Sequence, residues 1–232
     1  MPNEPAVTEA ESTQSWRDLA VARSLDPARA RAEQRVQRFL DAALELMTTS
    51  EGKEFTVQEV VERSGQSLRS FYQYFEGKYE LLLALFEESV RSTAVHLAEV
   101  VAEVDEDDPL ERLHRFAVEY HRICSPTTKA RSAKKGPAPA MAEFAQQLLT
   151  EHPKEASQAF VPLVTLLVEL LDAAAAAGAV RSGLHHRRIA GVLLQTIMFS
   201  TFGATISGSS VRNAPEAAQE LWSVLLEGIS AD

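Results

Sequence analysis

Apolar residues recur at three- and four-residue spacing along most of the chain, which is the periodicity of amphipathic α-helices. No strand-like alternation of apolar and polar residues stands out. The longer helical patterns cover about residues 29–49, 78–104, 109–124, 139–151, 155–177, 186–207 and 214–229. The pattern therefore predicts an all-α protein, and segment 155–177, which is apolar almost all round, should lie at its centre.

Three helix starts are packed into residues 55–82. At the first, Thr56 and Glu59 have the spacing of a capping box, in which each side chain bonds the backbone amide of the other residue. Phe55 and Val60 stand at the two positions of a hydrophobic staple around that cap. Gly65 can adopt the left-handed conformation that ends a helix. These signals predict a short helix that ends near Arg63.

The other two starts follow almost at once. Ser67 can cap a second helix over 68–75, and Gly77 can precede a third, with Glu80 at its third position. Helix, tight glycine turn and helix form the unit that places a helix in the major groove of DNA. The spacing predicts that one stripe of the second helix is buried: Leu68, Phe71 and Phe75.

Hydrogen-bonding side chains make up the rest of that second helix. They are Arg69, Ser70, Tyr72, Gln73 and Tyr74. Lys78 follows at the start of the next helix, where its ammonium group and the backbone amides could both meet a phosphate. This surface is suited to contact DNA.

A basic stretch precedes this unit and contains Arg29, Arg31, Arg35 and Arg38. Such an arm could reach into a minor groove or lie along phosphates, and a solvated helix face is an equal alternative. Upstream, residues 14–25 could form a short amphipathic helix that Pro27 interrupts. Residues 1–28 are therefore predicted to be a mostly disordered extension, with 1–13 polar and acidic.

The stretch from about residue 35 to 82 resembles the DNA-binding domain of the TetR family of transcriptional regulators. The motifs that carry the resemblance are Ala42-Ala43-Leu44-Glu45-Leu46, Thr56-Val57, Ser64-Gly65, Ser67, Phe71-Tyr72-Gln73-Tyr74-Phe75, Lys78 and Leu81-Leu82. Their order, spacing and residue types agree together. The chain departs from the usual pattern at Val61, Gln66 and Leu68.

The resemblance implies a three-helix head at 29–82 that is joined by a long helix to a ligand-binding and dimerisation body at 83–232. It implies a homodimer on a pseudo-palindromic operator in double-stranded DNA. Arg69, Ser70, Gln73 and Tyr74 would then read base edges. Thr56, Tyr72 and Lys78 would hold phosphates, and Arg38 and Ser67 complete the candidate DNA-contact set.

The resemblance also implies that the last two helices pair with their copies in a second subunit as a four-helix bundle. Large apolar residues on these helices suit such an interface. The candidates are Phe199, Phe202, Leu221, Trp222 and Leu225. The alternative is that they face the core of their own chain.

A body of this family would hold an apolar cavity for a small hydrophobic effector. Aromatic and methionine side chains with a few polar groups suit such a ligand. The candidate lining residues are Phe116, Tyr120, His121, Phe144, Phe160, Val164, Met198 and Phe202. At helical spacing, the same residues could equally be ordinary core.

Composition narrows the function classes. The chain has 232 residues and a net charge of −10, so DNA contact would rest on local bases in the head and not on a generally basic surface. Its one cysteine, Cys124, excludes an intrachain disulfide and fits a reducing cytoplasm. We find no catalytic motif, no metal-ligand spacing, no cofactor motif and no membrane-spanning stretch in the sequence.

The resemblance implies a ligand-responsive transcriptional regulator, a repressor and not an enzyme, and the composition fits a cytoplasmic protein. Two rivals stay open. One is a small-molecule-binding or protein-interaction module that keeps the head fold without DNA function, and the acidity of the chain motivates it. The other is an all-α enzyme with an unrecognised apolar site, against which the missing acid–base cluster counts.

Overall fold

The computed structural model describes residues 16–49, 55–125, 137–181, 183–206 and 214–229. In these ranges the chain forms helices and no β-strand. The helices are α1 (Trp16–Thr49), α2 (Val57–Ser64), α3 (Leu68–Phe71), α4 (Lys78–Ala102), α5 (Pro109–Cys124), α6 (Pro137–Glu151), α7 (Pro153–Ala159), α8 (Val161–Ala176), α9 (His186–Ile206) and α10 (Ala214–Ile229). The all-α prediction is confirmed. The acidic segment 1–13, the stretch 208–213 and most of the stretch 125–138 lie outside the described residues.

The first helix is longer than the sequence pattern predicts. It runs without a break from Trp16 to Thr49 and contains Pro27, so the prediction that Pro27 interrupts it is wrong, as is a helix start at residue 29. Proline removes one backbone donor, but its fixed φ angle is compatible with a helix. One missing hydrogen bond within 34 residues is a local cost that the rest of a cooperative helix can carry.

The capping signals of the head are present as predicted. The Thr56 hydroxyl accepts the amide of Glu59, and the Glu59 carboxylate accepts the amide of Thr56 at 2.7 Å. Gly65 then ends α2 with φ 65°, a conformation in which a side chain would be strained. These local bonds set where α2 begins and ends and which way the chain leaves it.

Helix α3 is shorter than the predicted span 68–75. Ser67 caps it, with its hydroxyl accepting the amide of Ser70. After Phe71 the backbone tightens, because the amides of Tyr74 and Phe75 both donate to the Phe71 carbonyl at 3.0 Å. Shared acceptors of this kind are typical where a helix closes in its last turn.

An aromatic cluster forms the core of the head. Phe39 of α1 packs edge-on against Phe71 and Phe75, with ring centroids 5.4 and 6.1 Å apart. Leu81 and Leu85 of α4 also belong to this core. Since Phe71 is fully buried, it anchors the inner side of α3 and turns the opposite side outward.

The body is built around α8, as its all-round apolar sequence predicts. Pro162 stands in the first turn of α8, and α7 and α8 are bent by 58° at the junction just before it. The other body helices surround α8: α4, α5 and α9 contact it directly. Its buried residues are Leu163, Leu167, Leu170, Leu171 and Ala174.

Head and body share contacts along α4. Leu82 of α4 and Met141 of α6 each pack against both the head core and the body core. The Tyr79 ring, in the first turn of α4, lies 5.8 Å from Phe144 and 4.7 Å from His152. Because α6 also contacts α1, a movement of α6 would be felt by the head.

Within the described ranges, no single helix is both long enough and apolar enough to cross a membrane, and α7 and α8 reach that measure only when joined across their bend.

Candidate nucleic-acid interface

The outward side of α3 and its following turn carries hydrogen-bonding groups that are available to a ligand. Arg69, Tyr72 and Gln73 are exposed. Within the part of the chain that the structure describes, neither the Arg69 guanidinium nor the Gln73 amide has a hydrogen-bond partner in its own chain. A bidentate guanidinium and a bidentate amide are the groups that read guanine and adenine in a major groove.

Two predicted positions on α3 differ from expectation. The hydroxyl oxygen of Ser70 is buried, without a hydrogen-bond partner in the described structure, so Ser70 does not present a polar group to bases as predicted. Leu68, predicted to be buried, is 43% exposed. Both follow from the anchoring of Phe71, which points its neighbour Ser70 sideways into the head and leaves Leu68 outside. Tyr74 is half-buried against the head core.

Two candidate DNA contacts at the helix starts, Thr56 and Ser67, already form hydrogen bonds within the head. The Thr56 hydroxyl also donates to Glu59 at 2.9 Å, and Ser67 uses its hydroxyl oxygen as the cap of α3. The bond from the Thr56 amide lowers the pKa of Glu59, which keeps a negative charge beside Lys78. The Lys78 ammonium lies 4.9 Å from the centre of the Phe55 ring.

The arginines of α1 fall into two groups. Arg29 pairs with Glu33 at 2.8 Å, and Arg31 donates to the carbonyl of Pro27 at 2.9 Å. Arg35 and Arg38 are exposed and form no hydrogen bond or ion pair within the described residues. Of the basic arm, these two side chains are therefore the ones that remain available to DNA.

The predicted effector-lining residues fall into separate groups in the body. Phe144 and Phe160 pack around Phe86 of α4, with ring centroids 6.1 and 5.4 Å from it. Phe116 and Tyr120 are buried on α5, 6.0 Å apart. Val164 and Met198 are half-buried against the body core, and the Phe202 side chain lies outside the described part of the chain. The sequence did not single out Phe86 as the residue that joins two of these rings.

A small cavity lies between α5, α8, α9 and α10. Of the residues predicted to line an effector site, Phe116 is the one in its wall. Its lining is otherwise aliphatic or indole: Leu113, Ala117, Leu167, Leu193, Ile197, Trp222, Leu225 and Ile229. It has room for about one water molecule. An effector with an alkyl chain would have to open this region. In the sequence, the three- and four-residue spacing of Leu113, Phe116 and Ala117 indicates that they share the buried face of α5 that forms this side of the cavity.

Burial shifts the pKa values of three polar side chains on α5. Burial raises the pKa of the Cys124 thiol to about 12 and raises that of Tyr120 well above its usual value. Burial lowers the pKa of His121, whose imidazole lies 3.4 Å from the Ser125 hydroxyl. No cluster of three or more potential metal ligands occurs among the residues that the structure describes.

The predicted dimerisation residues do not share one exposed face. Trp222 is only 7% exposed in the single chain: its ring lies 5.3 Å from His114 and it lines the cavity. Its own chain therefore largely covers the indole, which is the alternative that the sequence left open for Trp222. Leu221 and Leu225 are half-buried in the same core. Phe199 is 37% exposed, and the Phe202 side chain is not described.

Two exposed valines, which were not among the predicted interface residues, would add apolar surface to an interface. Val192 on α9 is 53% exposed and Val224 on α10 is 67% exposed. Val192 and Phe199 are seven residues apart and so lie on one side of α9. Sequence reasoning missed Val192 and Val224, since a small aliphatic residue at helical spacing looks the same whether its own chain or a partner covers it.

The capped turn, the aromatic head core and the outward donors of α3 together define a helix-turn-helix DNA-binding protein. Residues 39–85 match the model of the tetR family of bacterial regulatory proteins. This match covers the head of the chain. No curated protein sequence matches it.

Solved structures show that most of the chain has the fold of known transcriptional regulators. One is the transcriptional regulator FadR from Bacillus subtilis in complex with stearoyl-CoA, at 16% identity and TM-score 0.62, covering 83% of this chain and 98% of that one. Another is the TetR-family repressor FadR from Thermus thermophilus in complex with lauroyl-CoA, at 20% identity and TM-score 0.62, covering 85% and 96%. A third is the ketosteroid transcriptional regulator KstR2 from Mycobacterium tuberculosis, at 17% identity and TM-score 0.50, covering 85% and 96%.

Proposed function

We propose that this protein is a cytoplasmic, homodimeric repressor that binds a pseudo-palindromic operator and is released by a small hydrophobic effector. The observation that carries the proposal is the outward surface of α3, where Arg69, Tyr72 and Gln73 are exposed on a helix-turn-helix unit. The family match over 39–85 supports it. Two copies would place their α3 helices in successive major grooves, about 34–36 Å apart.

Within that complex, Arg69 and Gln73 are assigned to base edges. Tyr72, Lys78 and Arg38 are assigned to phosphates, where they set the register of the head on the duplex. Ser70 has no base-reading role in this proposal, because its hydroxyl is turned into the head. Thr56 and Ser67 act by capping α2 and α3, which fixes the direction in which each of these helices begins.

The effector would act through the contacts that head and body share. Met141 of α6 packs against both cores, and α6 contacts both α1 and α4. An effector that displaces α6 would shift the head and change the separation of the two α3 helices. It can shift the population only as far as it prefers the displaced state, and a change from 1:99 to 99:1 needs about 5.5 kcal/mol of preference.

Acyl-CoA thioesters are the first effectors to test, because two of the structures that share this fold were solved with one. The cavity in the described body is too small for such a chain, so binding would require the α5, α8, α9 and α10 contacts to open. Lauroyl-CoA and stearoyl-CoA, with CoA alone as control, should lower operator binding if this effector class is right. No effect of either thioester would leave the repressor proposal standing and exclude this class.

The proposal is tested by fluorescence anisotropy with the DNA that flanks the gene and a scrambled duplex, over a salt series. Selective binding that weakens as salt rises is the expected result. Arg69→Ala should weaken binding to the operator by about 1–3 kcal/mol and leave binding to the scrambled duplex almost unchanged.

Arg187→Ala is the matched control, since it removes the same charge from an exposed site on α9. Equal loss on both duplexes would assign Arg69 to phosphates. If neither this DNA nor any duplex from a random-sequence selection binds selectively, the repressor proposal is wrong and the head serves another partner.

A further inference from the structure

An aliphatic side chain, that of Leu68, is exposed on the proposed DNA-contact surface of α3. Leu68 is the first residue of α3 and is 43% exposed, whereas Phe71, three residues later, is fully buried. Tyr72, four residues after Leu68, is 58% exposed. The Tyr72 amide donates to the Leu68 carbonyl, and residues four apart share one face of a helix, so Leu68 and Tyr72 lie on the same exposed face as each other, with Arg69 next to Leu68 in the sequence.

The short length of α3 explains why Leu68 is not part of the head core. With a single helical turn, the core holds α3 through Phe71 and, beyond the turn, through Phe75. Phe71 is the buried residue of α3, so the packing of this helix does not require Leu68 to be buried as well. The adjacent Ser67 is occupied in capping, which fixes the direction in which α3 begins and therefore the direction of Leu68.

The first residues of a recognition helix are those that contact base edges in helix-turn-helix proteins. In the major groove, the one apolar group that a base pair presents is the C5-methyl of thymine. An isobutyl group cannot hydrogen-bond to the donors and acceptors of the other bases, but it gains by covering a methyl group. We propose that Leu68 is a specificity-determining residue that packs against the C5-methyl of one thymine in each operator half-site.

This inference rests on the proposed repressor function, and it adds an apolar contact to the polar reading by Arg69 and Gln73. It also replaces the role that the sequence had suggested for Ser70, whose hydroxyl is buried. In this arrangement a neighbouring guanidinium and isobutyl group read two adjacent base pairs, one by hydrogen bonds and the other by shape.

The test uses the full-length protein and an operator obtained by random-sequence selection. Each thymine of that operator is replaced in turn by deoxyuridine, which removes the C5-methyl and changes nothing else. The wild-type protein should lose about three- to fourfold in affinity for each methyl group removed at one symmetry-related pair of positions. Leu68→Ala should bind the thymine operator more weakly and should not distinguish thymine from deoxyuridine at that pair.

Two further variants sharpen the assignment. Leu68→Met keeps an apolar side chain and should keep the preference for the methyl group. Leu44→Ala removes an exposed leucine from α1 of the same head and should leave the deoxyuridine profile unchanged. Since Leu68 is on the surface, thermal unfolding of Leu68→Ala should match that of the wild type.

Several outcomes would overturn the inference. A wild-type protein that binds its operator selectively yet is indifferent to deoxyuridine at every position would show that no methyl group is read. An equal loss for Leu68→Ala on the thymine and deoxyuridine duplexes would show that Leu68 acts elsewhere, for example in a protein contact. If selection enriches no duplex at all, the repressor proposal fails and this inference falls with it.

Discussion

Single residues of the head depart from the polar and apolar pattern for a reason of geometry. Phe71 packs against Phe39 and Phe75 in the head core. This packing fixes the orientation of α3 and therefore the directions of the side chains next to Phe71. Two polar atoms of the head, the Ser70 hydroxyl and the Gln66 amide nitrogen, are buried and have no hydrogen-bond partner in the described structure. A buried donor without a partner destabilises a fold.

Gln66→Met should therefore stabilise the protein. Methionine has nearly the length of glutamine but has no amide to desolvate, so the free energy of unfolding should rise by about 1 kcal/mol. Urea denaturation followed by circular dichroism measures the change. Gln58→Met is the control, because the Gln58 amide is exposed and bonded to Glu62 at 3.0 Å, and it should give no gain. An unchanged or lower stability for Gln66→Met would mean that water satisfies this amide.

At the scale of helices, α4 and α5 are joined by an ionic cluster as well as by their apolar faces. The Glu119 carboxylate of α5 accepts from Arg122 at 2.5 and 2.8 Å and lies 2.7 Å from the His96 imidazole of α4. The Arg122 bonds, with help from His96, lower the pKa of Glu119 from 4.5 to about 2. The charged form of Glu119 is therefore the one that accepts from Arg122 on its own helix and faces His96 on α4.

This cluster predicts a pH dependence of stability whose sign is set by the lowered pKa. Because the folded-state pKa lies below the unfolded value, the contribution of Glu119 is present above pH 4.5 and is lost as the pH falls from 4.5 toward 2. Glu119→Gln should be less stable than wild type at pH 6, with a gap that narrows over that window. Unfolding free energies from urea titrations at several pH values measure it.

Glu103→Gln is the matched control, since its carboxylate is 3.7 Å from Arg115 and largely exposed. It should change the pH profile little, as surface ion pairs contribute little. A Glu119→Gln profile parallel to that of the wild type would show that Glu119 carries no linkage.

For the whole molecule, the question is which apolar surface is left for a second subunit. The chain covers Trp222 itself, while Val192, Phe199 and Val224 remain exposed on α9 and α10. Most soluble oligomers are symmetric homo-oligomers in which one patch meets its own copy. The exposed valines and Phe199 are suited to such a patch, and the family resemblance implies pairing through these two helices.

Val224→Asp should therefore give folded monomers with weakened operator binding, because a buried unpaired carboxylate at a dimer interface is costly. Trp222→Asp should instead lose helical structure, since it puts a charge into the core of one chain. Light scattering coupled to gel filtration, with circular dichroism, separates the two results. Val95→Asp changes an exposed valine on α4 and should leave both mass and fold intact.

A Val224→Asp protein that remains a dimer would move the interface away from α10. A Trp222→Asp protein that is helical and monomeric would show that the indole reaches the partner after all and is not held by its own core.

The sequence alone determined the features that depend on neighbours three or four residues apart. The Thr56–Glu59 capping box, the left-handed Gly65 and the helix over 109–124 are all present as predicted. Such signals are local, because a cap is formed by one side chain and the amide of the next turn. The match of residues 39–85 to the family model rests on the same local order.

Only the tertiary structure decided which side of a helix is covered. Leu68, Leu44 and Val224 are exposed, and Trp222 is buried, although all four stand at apolar helical positions. Burial depends on elements that are distant in the sequence: His114 and Gln219, whose side chains meet at 2.9 Å, are 105 residues apart. Periodicity identifies an apolar face, but only the packing of the other helices determines whether its own chain, a second subunit or a base pair can cover it.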